Sequence, residues 1–200
     1  QPEAAASQPE AAAPLIDPFC GSGTIAIEAA QMALGLPPGR KRRFGFMDWP
    51  GYKTENWQAL LDEAYRQSRE RPKPAPILAS DRDAGAIEMA QANAARAGVS
   101  ETIEFSCRAV SAIEPVGMGW VITNPPYGLR VSADKDLRNL YAQLGNVLRR
   151  SCPGWQAGIL CSEIKLLAQT GLKLDTSIEM VNGGVKVWLG RGKVGQALSR

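Results

Sequence analysis

The sequence predicts an α/β domain built on a mostly parallel sheet that carries one antiparallel strand. Apolar runs alternate with helical patterns along most of the 200 residues, and this alternation is typical of parallel sheets with helices on both faces. The last two apolar runs, 172–180 and 185–189, are separated only by a short turn with two glycines, which predicts a hairpin. A chain of this length with 44% hydrophobic residues can bury a substantial core.

Composition excludes several classes of function. The chain has no histidine, and its four cysteines form no C-x-x-C pair or ligand cluster, so we expect neither a metal site nor a histidine acid or base. No apolar run approaches the roughly 18 residues of a membrane helix, and no signal peptide is visible, so we expect a reduced cytoplasmic protein and no membrane partner. A formal charge of +3 permits a nucleic-acid partner without requiring one.

Residues 1–13 differ in composition from the rest of the chain. They contain two near-copies of Gln-Pro-Glu-Ala-Ala-Ala and no large apolar side chain, so they have nothing to pack into a core. We predict a low-complexity tail or linker over 1–13 and a single domain over 14–200, with an insertion at about 36–75.

The first apolar run leads into a loop that suits a ligand. Leu15–Asp17 is followed by Pro18-Phe19-Cys20-Gly21-Ser22-Gly23-Thr24 and then by an alanine-rich helical pattern. Glycines let backbone N–H groups approach a ligand, and a helix start adds unpaired donors and the positive end of a dipole. The spacing Gly21-x-Gly23-x-x-Ala26 also fits dinucleotide sites, so the loop alone is a weak signal.

Asp17 narrows the choice of ligand. A carboxylate four residues before the first glycine is poorly suited to a pyrophosphate but can accept hydrogen bonds from an ammonium group. S-adenosylmethionine has an amino-acid end and a sulfonium and no phosphate, so it is the predicted cofactor. The alternative is a structural turn in which Asp17 caps Thr24 or a nearby amide.

The insertion combines basic and aromatic residues. A helix predicted over 24–34 stops at Gly35, and four consecutive basic residues at 40–43 follow. A second helix is predicted over 54–69, after the aromatic residues Phe44, Phe46, Trp49 and Tyr52. This segment either pairs with phosphates and stacks on bases of a nucleic acid or packs the insertion onto the domain.

A second carboxylate lies at the end of the predicted strand 76–81. Ligands of open α/β sheets bind at the carboxyl ends of the strands, and Asp81 can there accept both hydroxyls of a ribose. We expect Asp83 to cap the helix 84–97, and Gly98 to end it. A third strand is predicted over 102–107.

The segment Trp120-Val121-Ile122-Thr123-Asn124-Pro125-Pro126-Tyr127-Gly128 is an apolar strand that ends in a rigid polar turn. Prolines fix φ, so a carbonyl of Pro125 or Pro126 is held outward. With the side-chain oxygen of Asn124 it forms two acceptors for a planar amine, and Tyr127 offers a face for stacking. All five turn residues are also ordinary turn formers, so a plain strand-to-helix turn is the alternative.

The remaining elements complete the alternation. A polar loop is predicted over 129–136, an amphipathic helix over 135–150 and a fifth strand over 156–161.

In combination, Asp-Pro-Phe-Cys-Gly-Ser-Gly-Thr, Ser80-Asp81-Arg82-Asp83 and Asn-Pro-Pro-Tyr-Gly resemble the class I S-adenosylmethionine-dependent amino-methyltransferases. The similarity covers about 14–190. More narrowly, the chain resembles the methyltransferase domain of the THUMP-associated RNA guanine-N2 methyltransferases, which act on bacterial 23S rRNA and archaeal tRNA. The resemblance implies a Rossmann-like, seven-stranded sheet, S-adenosylmethionine as cofactor and RNA, rRNA rather than tRNA, as partner.

The resemblance also implies roles for individual residues. The cofactor-binding residues are expected to be Asp17, Phe19, Cys20, Gly21, Gly23, Thr24, Asp81 and Arg82. The catalytic residues are expected to be Asn124, Pro125, Pro126 and Tyr127.

Two departures from the family pattern stand out. The family usually has an acidic residue that meets the adenine amine, where this chain has Ala109; Ser111 and Glu114 are candidate substitutes. The RNA-binding THUMP domain is not visible in these 200 residues.

Three functions remain open at this point. The first is methylation of guanine N2 in RNA. The second keeps the chemistry but changes the acceptor to adenine in DNA or RNA or to a protein glutamine. The third is a binding module without turnover. A cysteine nucleophile acting on a pyrimidine carbon is disfavoured, because Cys20 lies in the cofactor loop and no motif surrounds the other cysteines.

Overall fold

The computed structural model describes residues 13–115, 117–127 and 134–195, and for 134–136 only the backbone. The predicted tail therefore lies outside the described residues except for Ala13, as do Gly128 and positions 129–133 of the predicted polar loop. The strands are β1 Leu15–Asp17, β2 Ile77–Asp81, β3 Ile103–Cys107, β4 Trp120–Thr123, β5 Gln156–Cys161, β6 Asp175–Asn182 and β7 Val185–Lys193. The α-helices are α1 Thr24–Ala33, α2 Thr54–Arg69, α3 Ala84–Ala97, α4 Asp134–Ser151 and α5 Ile164–Gln169.

The seven strands form one sheet in the order β3-β2-β1-β4-β5-β7-β6. β7 runs antiparallel to its neighbours β5 and β6, and the other pairings are parallel. The predicted fold, a mostly parallel seven-stranded sheet with one antiparallel strand, is confirmed. Leu15 pairs with Ile77 on one side and with Trp120 on the other, so the strand order reverses at β1. Such a reversal opens a crevice at the carboxyl ends of the strands, where ligands of α/β sheets bind.

The two faces of the sheet carry cores of different character. One face is covered by α1 and α3 through small side chains such as Ala26 and Ala90. The other is covered by α4 and α5 through larger residues, including Tyr141, Leu144 and Leu166. Both cores pack against the sheet and hold the strand ends in fixed positions, which is the condition for a preorganised site.

Local signals placed several elements accurately. α2 and α3 have the predicted bounds. The Asp83 carboxylate accepts from the backbone N–H groups of Gly85 and Ala86, and Gly98 ends α3 with a φ of 73°. The predicted cap and the predicted stop are both confirmed.

Other bounds were wrong. α4 extends one residue beyond the predicted helix 135–150 at each end, so that Asp134, predicted as loop, belongs to it, and α5 was not predicted. At six residues and without a side-chain cap, α5 is too short to give a periodic signal. β6 begins three residues later than the predicted strand 172–180, and β7 extends four residues beyond 189. The hairpin turn itself is where it was predicted, with φ of 57° at Gly183 and 82° at Gly184.

The aromatic residues of the insertion pack against each other. The rings of Phe44 and Phe46 stack with centroids 5.5 Å apart, and Trp57 meets both edge-on at 5.7 and 5.4 Å. Tyr52 lies 6.0 Å from Phe46. These four residues therefore pack within the insertion, and their contacts do not show packing onto the domain, whereas Trp49 remains 68% exposed.

Much of the basic run is also engaged within the protein. Arg40 and Lys41 donate hydrogen bonds to the last carbonyls of α3, where cations are favourable because of the helix dipole. Arg43 pairs with Asp48. The run therefore fastens the insertion to the domain.

No helix among the described residues is long and apolar enough to cross a bilayer. Within the same residues, no group of three or more Cys, Asp or Glu side chains is arranged to hold a metal ion.

Candidate active site

A cleft of about 450 Å³ lies at the carboxyl ends of β1 and β4. The glycine loop after β1 forms one wall, with Asp17 at its base. Asn124, directly after β4, and Val181, near the end of β6, line the opposite side. The two motifs that sequence analysis singled out a hundred residues apart therefore share one cleft.

Asp17 is 1% exposed, and only one of its two carboxylate oxygens is satisfied. Oδ1 accepts from the Thr123 hydroxyl at 2.7 Å and from the Phe19 backbone N–H at 3.3 Å. Oδ2 is buried and has no hydrogen-bond partner among the residues that the structure describes. Burial raises the pKa of Asp17 to about 7, against the lowering effect of the two hydrogen bonds. An uncompensated buried carboxylate oxygen is costly, so this site favours a cationic or donor ligand.

Asp17 does not cap α1. That helix starts at Thr24 without any side-chain cap hydrogen bond, so the first helical N–H groups are available to a ligand. The alternative was that Asp17 caps Thr24 or a nearby amide. Only the second contact is present, because the Phe19 N–H donates to Oδ1, and it leaves Oδ2 without a partner among the described residues.

Asp81, at the end of β2, ties the glycine loop to the sheet. Its Oδ2 accepts from the Gly21 N–H at 3.1 Å, and its Oδ1 accepts from the Asp83 N–H at 3.1 Å. Each carboxylate oxygen has further lone pairs, so Asp81 can orient the loop and still accept from ribose hydroxyls.

Gly21 and Gly23 serve different purposes in the loop. Both have positive φ, 49° and 84°. A Cβ at Gly21 would meet nothing within 4 Å, whereas a Cβ at Gly23 would lie 3.0 Å from Ala90 Cβ on α3. Gly21 thus leaves open space on the ligand side, and Gly23 lets α1 and α3 approach each other closely.

A second cavity of about 140 Å³ adjoins the cleft, because Phe19 lines both. Asp81, Arg82 and Pro126 also line it, as do Ala109 and Gln143. The candidate substitutes Ser111 and Glu114 do not line this cavity. Glu114 instead pairs with Arg108 at 3.5 Å.

The residues of the Asn-Pro-Pro-Tyr turn are divided between the two cavities and the core. The Oδ1 atom of Asn124 is buried and has no hydrogen-bond partner among the described residues, and Asn124 lines the larger cleft. Pro126 lines the smaller cavity. Pro125 is buried, and Tyr127 is half-buried against the core under α4. These two residues line neither the cleft nor the smaller cavity.

Cys20, which lines the cleft, has a thiol of low reactivity. Burial raises the pKa of Cys20 to about 12, with the neighbouring carboxylates adding to the effect. A thiol at this pKa carries almost no thiolate at neutral pH and is a poor nucleophile. The disfavoured cysteine mechanism therefore gains nothing from this cleft.

Several residues that line the cavities were not found by sequence analysis. Leu160 is the last residue but one of β5, Met180, Val181 and Asn182 belong to the terminal hairpin, and these four line the larger cleft. Gln143 lies on α4, and its place in the smaller cavity has no local signal. The three hairpin residues could have been placed at the cleft only from the order of the strands in the sheet.

The two cavities fit the cofactor that the resemblance implies. A buried carboxylate oxygen without a partner suits an ammonium group, the open side of Gly21 accommodates a ligand backbone, and Asp81 is placed between the cavities for a ribose. The predicted cofactor residues other than Gly23 line one cavity or the other, and Gly23 sets the loop geometry.

Comparison with known proteins supports the same assignment. Residues 4–188 match the family described as UPF0020, RMKL-like, methyltransferase domain. The chain belongs to this family. Its fold is that of the class I S-adenosylmethionine-dependent methyltransferases.

Relatives of the RMKL-like domain include longer proteins. The ribosomal RNA large subunit methyltransferase K/L of Shewanella loihica is 44% identical over 176 residues, which cover 86% of this chain and 25% of that protein. A possible methylase from Clostridium difficile 630 has a TM-score of 0.83 at 31% identity, covering 97% of this chain and 51% of that one. SMU.472, solved in complex with SAH, has a TM-score of 0.81 at 29% identity, covering 96% and 50%. The chain thus spans about a quarter of the curated relatives it matches.

Proposed function

We propose that this RMKL-like domain transfers a methyl group from S-adenosylmethionine to the exocyclic N2 amine of a guanine in RNA, in rRNA rather than tRNA. The observation that carries the proposal is that Asp17 and Asn124 line one cleft, and that each has a buried oxygen, Oδ2 and Oδ1 respectively, without a hydrogen-bond partner in the part of the chain that the structure describes. One suits a cationic amino group, and the other suits the hydrogen of a neutral amine.

On the cofactor side, Asp17 holds the amino-acid end and Asp81 holds the ribose. The first turn of α1 adds N–H donors for the carboxylate of the ligand. When bound, S-adenosylmethionine supplies an electrophilic methyl group. The loop orients that group toward Asn124 across the cleft, and orientation of this kind accounts for a large share of the rate in transfer reactions.

On the acceptor side, Asn124 and a proline carbonyl accept hydrogen bonds from the target amine. The lone pair of an exocyclic amine is conjugated with its ring, and two acceptors favour the pyramidal geometry that redirects it. The same acceptors stabilise the positive charge that develops on the nitrogen during transfer. No strong base is needed, which is consistent with a chain that has no histidine.

The choice of RNA draws on the relatives, since curated relatives that are 44% and 41% identical to this chain are named ribosomal RNA large subunit methyltransferase K/L. This chain spans only part of their length, and we infer that the remaining part supplies much of the RNA affinity. Tyr127 is proposed to stack on the target base when RNA is bound.

Single-turnover transfer from labelled cofactor to unmodified rRNA and tRNA tests the proposal. Asn124→Ala is expected to leave cofactor affinity nearly unchanged and to lower the rate by about 10²-fold or more, as when a group that stabilises the transition state is lost. Tyr127→Ala should weaken acceptor binding as well, because base stacking is worth about 1–3 kcal/mol. Asn139→Ala, an exposed change on α4, is the matched control.

The product identifies the acceptor. Methyl label recovered as N2-methylguanosine after digestion of rRNA would support the proposal, whereas label on adenine or on protein glutamine would assign the alternative acceptor. Wild-type rates in Asn124→Ala would rule out the mechanism in which Asn124 accepts a hydrogen bond from the target amine. If the 200-residue chain is silent, the assay is repeated with an RNA-binding THUMP domain joined to it, and silence there would favour a binding module.

A further inference from the structure

The 140 Å³ cavity, called here the slot, is lined by apolar and polar side chains that suit the base of a nucleoside. Phe19, Val110 and Leu140 are apolar and line it from three different elements. Asp81, the proposed ribose ligand, also lines it. A nucleoside whose ribose lies on Asp81 and whose amino-acid end reaches Asp17 therefore places its base in this slot.

The polar side chains around the slot differ in what they can offer to a base. Arg82 has only donors, and Ala109 has no hydrogen-bonding side chain. The oxygens of Asp81 already accept from the Gly21 and Asp83 N–H groups, and the proposed ribose contact uses their remaining capacity. Among the described residues that line the cavity, Gln143 is the one whose side chain has both an acceptor and a donor.

An amide is complementary to the edge of adenine. The 6-amino group is a donor, and the ring nitrogen beside it is an acceptor. A glutamine side chain matches that pair with two parallel hydrogen bonds. Gln143 follows Leu140 by three positions on α4, and residues three apart share a helix face. Leu140 packs against the ring and Gln143 stands at the rim, where its side chain is exposed enough to turn.

We infer that Gln143 is a specificity-determining residue that reads the 6-amino edge of the cofactor's adenine, at a site where Ala109 leaves no hydrogen-bonding group. The inference concerns the cofactor and does not depend on which acceptor is methylated. A failure of the RNA proposal therefore leaves it standing, and its own failure leaves the RNA proposal standing.

The test is the affinity of the 200-residue chain for S-adenosylhomocysteine and for its 6-oxo analogue, S-inosylhomocysteine, measured by calorimetry. A 6-oxo base presents an acceptor at its oxygen and a donor at the neighbouring protonated ring nitrogen, and an amide can rotate to match this reversed pair. We expect the wild type to bind the two ligands within about 5-fold of each other. Gln143→Leu should bind both about 10-fold more weakly, the usual effect of losing a hydrogen bond to a polar ligand group.

Gln143→Glu separates a base contact from a structural role. It keeps the length of the side chain and the acceptor for the 6-amino group but loses the donor to the ring nitrogen. It should therefore bind S-adenosylhomocysteine about 10-fold more weakly than the wild type does, and bind the 1-deaza analogue, which has no nitrogen at that ring position, no more weakly than the wild type does. In Gln143→Leu, the further change Ala109→Asp supplies a new acceptor and should restore part of the affinity for S-adenosylhomocysteine. Asn139→Leu, exposed on the same helix, should bind like the wild type.

Three results would overturn the inference. The first is unchanged affinity for S-adenosylhomocysteine in Gln143→Leu. The second is a Gln143→Glu variant with the same preference between S-adenosylhomocysteine and its 1-deaza analogue as the wild type. The third is an equal loss in Asn139→Leu, which would attribute the effect to α4 itself.

Discussion

The Thr123 hydroxyl donates a 2.7 Å hydrogen bond to Asp17 Oδ1, across 106 positions of sequence and with both side chains buried. Thr123 is the last residue of β4 and is followed directly by Asn124. The bond therefore joins the carboxylate proposed for the cofactor to the strand that carries the proposed acceptor group. A shift of the end of either strand would therefore change the position of both the Asp17 carboxylate and Asn124.

The first prediction concerns the pH dependence of stability. Burial raises the pKa of Asp17 from 3.8 to about 7, so the folded chain keeps a proton that the unfolded chain releases between about pH 4 and 7. The free energy of unfolding should therefore fall as pH rises through this window. Asp17→Asn removes the effect and should be more stable than the wild type by about 2–4 kcal/mol at pH 8, with little difference at pH 4.5.

Urea denaturation of the ligand-free proteins at the two pH values measures this difference. Asp62→Asn changes an exposed carboxylate on α2 and should show no such gain. Equal stability of Asp17→Asn and wild type at pH 8 would mean that Asp17 is not charged at a cost in the folded chain.

The second prediction concerns cofactor affinity. If Asp17 must be ionised to hold an ammonium group, affinity for S-adenosylhomocysteine should rise with pH up to about 7 and level off above it. Thr123→Val removes a hydrogen bond that lowers the pKa of Asp17, so its rise should occur at higher pH. At pH 7 the variant should bind more weakly than the wild type.

Calorimetric titrations from pH 6 to 8.5 give both curves. Thr54→Val, at the exposed start of α2, controls for loss of a threonine hydroxyl. Superimposable profiles for Thr123→Val and wild type would disprove the coupling between the two strand ends.

The third prediction contrasts two glycines of one loop. Gly21→Ala places a methyl group in open space on the ligand side, so it should cost about 1 kcal/mol of stability for the positive φ but remove most cofactor binding. Gly23→Ala presses on Ala90 and should lower stability by about 1–3 kcal/mol more than Gly21→Ala does.

Thermal unfolding and S-adenosylhomocysteine affinity are measured on both variants. The expected pattern is a crossed one, with binding lost in Gly21→Ala and stability lost in Gly23→Ala. Full ligand affinity in Gly21→Ala would place the ligand elsewhere than against the loop.

The fourth prediction concerns RNA binding by the 200-residue chain. Phosphate contacts supply much of nucleic-acid affinity, the net charge is only +3, and Arg40, Lys41 and Arg43 are engaged within the protein. We expect weak binding that falls steeply with salt. Filter binding to an rRNA fragment from 50 to 300 mM salt checks this, and tight binding that salt does not affect would contradict it.

Sequence predicted best what is encoded locally. α3 was placed with correct bounds because Asp83 and Gly98 mark its ends. The glycine loop and Asn124 were proposed as site residues for a similar reason, because each belongs to a short continuous motif whose residue types determine the local backbone conformation. Their meeting in one cleft followed from the general rule that ligands lie at the carboxyl ends of parallel strands.

What sequence could not predict depends on contacts between distant segments. Val181 reaches the cleft only because β7 lies between β5 and β6, and neither strand's own pattern encodes that order. In the sequence, nothing distinguishes Gln143 from the other polar residues of an amphipathic helix, and only the structure shows that it lines the smaller cavity. The unpartnered oxygen of Asp17 likewise has no sequence signature, because it reflects what surrounds the side chain.

The place of β7 in the sheet also sets when the site can exist. A ribosome completes β1 through β5 before it makes either strand of the hairpin, and β6 has no neighbour in the sheet until β7 has been made. Until then β5 carries an open edge, which is prone to wrong pairing. Residues 180–182 cannot close the cleft in a chain that ends before β7. Binding competence should therefore appear late and abruptly during synthesis, so that the cofactor distinguishes finished domains from partial ones.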